Sequence, residues 1–304
     1  MLRRLLILAV IVAVLGLGVF WLVTVPATIS ASALGSHTPN STNGRVMFFA
    51  GGCSSCHATP EQDDKLRLGG GLGLKSPFGT FYVPNISPDP IDGIGRWSEA
   101  DFVTAMVKGT SPDGRHYFPA FPYTSYQRMT FADLRDLFAY IKTLAPVQGK
   151  ARGHDVPFPF NIRRAVGAWK RLYLDGEPFK ADVGKPAEWN RGAYLINGLS
   201  HCAECHSPRD VLGGLVESQR FAGGPDPGGE GWVPNITQQA LRDWAEKDIA
   251  EMLATGMTPD DKVAGPMAEV VRNTGQLSAE DRAAMAAYIK SLPPIEGPKR
   301  PEQK

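Results

Sequence analysis

Cysteine is scarce in this chain, and neither sign of charge dominates. Four Cys in 304 residues cannot build the dense disulfide framework of a small secreted scaffold. A formal charge of +1 lacks the basic excess expected of a nucleic-acid binder. No Ser-His-Asp set, H-E-x-x-H helix or paired catalytic carboxylates can be picked out. The glycine run Gly69-Gly70-Gly71-Leu72-Gly73 lacks the Gly-Lys-Ser/Thr that would make it a phosphate cradle. What remains, 43% hydrophobic and 21% charged, is ordinary globular composition, which excludes disorder, collagen and a polytopic membrane protein. The length suits about two domains.

Met1-Leu2-Arg3-Arg4 opens the chain, and an uncharged Leu-, Val-, Ile- and Ala-rich run fills positions 5–23. As a helix this run rises about 28 Å, close to the hydrocarbon thickness of a bilayer. Arg3 and Arg4 put this end on the cytoplasmic side under the positive-inside rule, so the remainder is exported. Ala31-Ser32-Ala33 resembles a signal cleavage site. The apolar run is longer than the 7–15 residues or so of a signal peptide, which favours a retained anchor. Without Arg3 and Arg4, 30 basic residues face 31 acidic ones, so any docking surface of the exported part depends on local patches.

The cysteines form two C-x-x-C pairs, each followed at once by histidine: Cys53-Ser54-Ser55-Cys56-His57 and Cys202-Ala203-Glu204-Cys205-His206. C-x-x-C-H is the attachment signature of c-type haem. Two thiols spaced on one short helical turn add to the two vinyl groups of the porphyrin. The adjacent histidine then lies under the iron as proximal ligand. A single zinc site built from both pairs is the plainer alternative, but structural zinc pairs usually lie closer in sequence and give no reason for two matched histidines. Surface disulfides or a thioredoxin-like pair leave the histidines unexplained as well. Two covalently bound haem c groups are therefore expected, on Cys53, Cys56 and His57 and on Cys202, Cys205 and His206.

The duplication continues past the motif. Pro84-Asn85-Ile86 follows His57 by 27 positions and Pro234-Asn235-Ile236 follows His206 by 28. Trp97 and Trp244 follow by 40 and 38, and the tetrapeptides starting at Ala139 and Ala287 (both Ala-Tyr-Ile-Lys) follow by 82 and 81. Matched order at matched spacing means two copies of one domain, each with its own core. Each copy reads as helical. Apolar helices over Gly44–Ala50 and Gly192–Asn197 precede the motifs. Ser98-x-x-Asp101, Thr130-x-x-Asp133 and Ser278-x-x-Asp281 resemble helix-opening caps. The stripes Phe102, Val103, Met106, Val107 and Leu134, Leu137, Phe138, Ile141 follow the first two. Gly- and Pro-rich stretches between helices read as loops around a flat cofactor. Asn85, Asn235, Trp97 and Trp244 are candidates for haem packing or propionate hydrogen bonds, with core packing the default for tryptophan. Arg163, Arg164, Lys170 and Arg171 form a basic cluster, either a solvated face or a contact to propionates or a partner. His37, His154 and His201 read as surface residues.

A covalent motif after an N-terminal helix, a central loop and a closing helix ending in Ala-Tyr-Ile-Lys resemble the class I cytochrome c fold. More narrowly, Phe158-Pro159-Phe160-Asn161, Trp169-Lys170, Trp189-Asn190-Arg191-Gly192-Ala193-Tyr194-Leu195 and Cys205-His206-Ser207-Pro208-Arg209 look like the membrane-bound cytochrome c subunits of bacterial alcohol, aldehyde and gluconate dehydrogenases. Those subunits typically carry three haem motifs where this chain has two. The resemblance implies a mainly α chain with two tandem class I cytochrome c domains after an N-terminal transmembrane helix. The expected divisions are an anchor over 1–27, a linker over 28–40, domains over 41–146 and 188–296 joined by 147–187, and a tail over 297–304. It also implies anchoring in the bacterial inner membrane with both haem domains in the periplasm. Electrons would come from a periplasmic or membrane-bound dehydrogenase and leave to an oxidase, a quinone or another cytochrome, with no bond-making step on this chain and no nucleic acid. The alternative is a dihaem enzyme, a peroxidase or sulfur-compound oxidase with one open iron.

Such carriers usually take methionine as sixth ligand. Met267, in Gly265-Pro266-Met267-Ala268, stands 61 positions after His206, where this fold places its ligand loop. Its rivals are Met252, Met257 and Met285, of which the first and last sit at core spacing. The aligned loop of the first domain reads Phe118-Pro119-Ala120-Phe121-Pro122-Tyr123, with Phe121 where the family often has methionine. Met129 is favoured there on the family pattern. Met106, His116 and an open iron are the alternatives.

Overall fold

The computed structural model describes residues 1–229 and 231–300. Helix α1, Leu2–Val23, is the apolar run, and none of its residues is buried. The first domain contains α2 (Ser41–Ala50), α3 (Cys53–His57), the strands β1 (Gly73–Ser76) and β2 (Gly79–Tyr82), and α4 (Glu99–Lys108), α5 (Tyr123–Tyr126) and α6 (Phe131–Ile141). Helix α7 (Ala165–Tyr173) lies in the connection. The second domain contains α8 (Ala187–Asn197), α9 (Ala203–His206), the strands β3 (Gly224–Pro225) and β4 (Trp232–Val233), and α10 (Glu246–Thr255), α11 (Pro266–Thr274) and α12 (Ala279–Lys290). The chain is mainly helical, as its pattern predicts. Two hairpins stand where the sequence reads as loops. They pair Gly73 with Tyr82 and Gly224 with Val233, too short for an alternating pattern to register.

The capping residues act as the sequence predicts. Ser98 and Asp101 form both halves of a capping box, while Thr130 accepts from Asp133 N–H and Ser278 from Asp281 N–H. Caps of this kind contribute about 1 kcal/mol each. Helix α2 begins earlier than its apolar stripe suggests, because the Asn40 side chain accepts from the N–H groups of Thr42 and Asn43.

Each domain is closed by its first and last helices crossing in contact. At Gly44 a Cβ would stand 1.9 Å from the Asp136 carbonyl oxygen of α6, and at Gly192 one would stand 1.8 Å from that of Ala284 in α12. Only glycine lets the backbones meet this closely. Around the crossings the lysines of the two Ala-Tyr-Ile-Lys segments repeat one role, while the tyrosines take different partners. Tyr140 meets the edge of Phe48 at 5.3 Å, and the Tyr288 hydroxyl accepts from Asn197 Nδ2 at 2.8 Å. Lys142 donates to Gly95 O, and Lys290 donates to Leu241 O at 3.0 Å.

The stretch between α1 and the first domain is strapped down. Ile29 N–H donates to Thr104 Oγ1, Arg135 to the carbonyls of Gly35 and His37, and His37 contacts Asp136 at 2.6 Å. His37 is therefore a partner of α6 and not a solvated residue. The end of α1 is held by the basic cluster of the connection. Arg164 donates to Trp21 O and, at 2.8 Å, to Thr24 Oγ1, and Arg171 donates to Val23 O at 3.0 Å. These are the carbonyls and side chain at a helix C-terminus, where orphan acceptors and the macrodipole favour cations. Lys170 does the same for α4, giving hydrogen bonds of 2.6 Å to both Lys108 O and Gly109 O.

Replacing Gly192 with Ala should destabilise the matured protein by about 3 kcal/mol or more, because the clash is with backbone. The same change at Gly16, where nothing lies within 4 Å, should leave the thermal midpoint in place. Equal midpoints for the two variants would contradict the crossing.

Candidate functional site

Both C-x-x-C-H motifs form short helical turns, α3 and the stretch from Cys202 into α9. All four thiols are free. Among the described residues, no three His, Cys, Asp or Glu side chains converge to hold a bare metal ion. Burial pushes the thiols of Cys53 and Cys202 up to about 12.

The histidines are oriented identically. His57 Nδ1 lies 2.9 Å from Pro84 O and His206 Nδ1 lies 2.8 Å from Pro234 O. A carbonyl only accepts, so Nδ1 carries the proton and Nε2 keeps its lone pair for a ligand. Burial pushes His57 down to about 4, against the opposite pull of its Pro84 bond, and lowers His206 likewise. The main chain closes the same unit, since Gly70 N–H donates to His57 O at 2.9 Å and Gly223 N–H to His206 O at 2.8 Å. Gly70 and Gly223 have φ of 68° and 73°. A Cβ at Gly70 would lie 2.5 Å from Pro84, so this return loop requires glycine twice over. Two thiols on one turn, with an imidazole presenting a free Nε2, fit c-type haem.

The repeated Pro-Asn-Ile segment owes its recurrence to this carbonyl. Its asparagines have another task. Asn85 Nδ2 donates to Val147 O at 2.6 Å and Asn235 Nδ2 to Ile295 O at 2.8 Å, pinning the chain that leaves each closing helix. Trp97 and Trp244 pack at the edge of the core.

Each turn also reaches across to the other domain, which sequence spacing gave no sign of. Ser54 Oγ donates to Asn273 Oδ1 at 3.0 Å, and Asn273 Nδ2 donates to Ser55 Oγ at 2.9 Å. Asn273 is buried on α11, the helix that carries Met267. In the reverse direction Glu204 accepts from Thr124 Oγ1 at 2.8 Å and Ser125 Oγ at 2.9 Å, both on α5, which follows the loop that carries Phe121. Burial alone would raise the Glu204 carboxyl, but Arg209 at 2.7 Å and the two hydroxyls hold it below its ordinary value. Each C-x-x-C-H turn is thus hydrogen-bonded to a helix of the other domain, Ser54 and Ser55 to α11 and Glu204 to α5.

Met267 is half-buried at the second position of α11 and packs on the core. Met129 is buried, with Sδ packed on the second domain where a Cβ at Gly198 would lie 2.6 Å away. Met106 and Met285 are core residues, Met252 packs beside them and Met257 is exposed. His116 Nε2 lies 2.8 Å from Thr24 O, so this histidine serves the end of α1. His154 Nδ1 accepts from Tyr82 N–H at 3.0 Å and His201 meets the edge of Tyr126, so both have partners.

A family model for cytochrome c matches residues 41–145 and 190–293. A protein of Cereibacter sphaeroides described as "Diheme cytochrome c-type" is 47% identical over 289 residues, 94% of this chain and 97% of its own length. The fructose dehydrogenase cytochrome subunit of Gluconobacter japonicus is 37% identical over 85% of this chain and 54% of its own length. The gluconate 2-dehydrogenase cytochrome c subunit of Pantoea cypripedii is 31% identical over 89% of this chain and 64% of its own length. Both halves of the molecule match one family, at the segments where the duplicated turn lies, and the chain belongs to the cytochrome c family.

Proposed function

We propose that the chain is a dihaem relay, carrying electrons from a dehydrogenase to a respiratory acceptor in the periplasm while α1 anchors it in the inner membrane. Haem c supplies the one-electron redox chemistry. The protein supplies attachment at Cys53 and Cys56 and at Cys202 and Cys205, proximal imidazoles at His57 and His206, and a rigid, largely dry surrounding. Met267 is the sixth ligand in the second domain and Met129 the one in the first. The observation that carries the proposal is the crossed hydrogen bonding of Ser54 and Ser55 to Asn273 and of Glu204 to Thr124, which ties each C-x-x-C-H turn to the opposite domain and supports electron transfer between the two. Relatives named as dehydrogenase cytochrome subunits support a dehydrogenase as donor. Phe121, set among Tyr117, Tyr123 and Tyr126 where methionine is usual, favours a second reading, a dihaem enzyme with an open first iron.

The matured chain should contain two haems, both low-spin. A high-spin signal that shifts with cyanide or peroxide would select the enzyme instead. Met267→Ala should abolish the methionine–iron charge-transfer band of one haem and lower one potential, and Met129→Ala should do so for the other. An unchanged spectrum removes the residue concerned. Asn273→Leu should cost about 1–3 kcal/mol by stranding the serine hydroxyls and slow equilibration between the haems several-fold with both potentials unmoved. An unaltered rate would contradict the coupling.

A further inference from the structure

Helix α7 turns three sides to different surroundings. Val166, Gly167 and Lys170 are buried. Arg164, Gly167 and Arg171 face the end of α1. The third ridge, Ala165, Ala168 and Leu172, is exposed and carries no polar group, whereas a helix facing water presents a polar ridge. Leu172 is 67% exposed, and the segment entering α7 adds Phe158 at 77% together with exposed Phe160 and Ile162. A second loop extends the patch with Val211, 92% exposed, and Leu212. It is tied to α7 by Trp169 Nε1 donating to Leu212 O at 2.9 Å. Soluble monomers rarely leave so continuous an apolar surface in water.

Continuity with α1 identifies what covers it. The Arg164 guanidinium lies 4.2 Å over the Trp21 ring in the last turn of α1, and tryptophan with arginine marks the headgroup level of a bilayer. Helix α7 touches that turn directly, so its open ridge lies within about one helix diameter, 10 Å, of the headgroups.

We infer that the ridge of α7, with residues 158–162 and 211–212, rests on the lipid surface as a second membrane contact beside α1. The inference depends on α1 being a membrane anchor. The test uses the full matured chain in phosphatidylethanolamine–phosphatidylglycerol vesicles doped with a diazirine-bearing phospholipid, followed by peptide mapping. Lipid adducts are expected on 158–162, 165–172 and 211–212 as well as on α1. A Phe158→Ser, Leu172→Ser double variant should lose most adducts on 158–172 while keeping those on α1 and an unchanged haem spectrum. Adducts confined to α1 would overturn the inference and leave the anchor standing. Adducts nowhere would overturn both. A chemical crosslink joining this face to a second copy, or its shielding only when a dehydrogenase is added, would assign it to protein and overturn it as well.

Discussion

Close approach of two helix backbones, allowed by a glycine in each domain, is the constraint on which the arrangement depends. Helix α2 runs within two residues into the Cys53 turn, and α8 leads through a short bend into the Cys202 turn. The crossing at Gly44 or Gly192 therefore fixes where the thiols stand relative to the closing helix. The return loop then passes behind the imidazole through Gly70 or Gly223, bringing the proline carbonyl to the Nδ1 proton. A side chain at any of these four glycines would displace backbone, and the histidine with it.

Attachment chemistry leaves the two residues between the cysteines free, and this chain uses them for docking. Ser54 and Ser55 bind a buried amide, and Glu204 binds two hydroxyls and Arg209. A buried carboxylate loses its hydration, and here that loss is offset by partners on both domains. Such a group adds little net stability and is best understood as fixing one geometry of association. The domains are consequently joined at the two C-x-x-C-H turns and not merely by the chain between them.

The cysteine turns, the three helix-opening caps and the closing helices are legible in the sequence because each is local, with the partner three or four residues away, and the duplication is legible because it repeats such local signals in the same order. Asn85, His116, Arg164 and Arg171 escape such a reading for one physical reason: they donate to backbone carbonyls. Every residue has a carbonyl, so the acceptor leaves no trace in the sequence, and here it lies as far away as 143 or 148 positions. The coupling of the turns is hidden in the same way. Nothing in Ser54-Ser55 points to Asn273, 219 positions on from Ser54. The hydrophobic exposure of α7 is equally unreadable, since its residues resemble those of any buried helix.

The stretch from Thr24 to Asn40 ties the end of α1 to the first domain through side-chain hydrogen bonds on α4, α6 and α7. Any tilt of α1 is therefore carried straight into the first domain, and the Cys53 turn keeps its distance from the last turn of that helix.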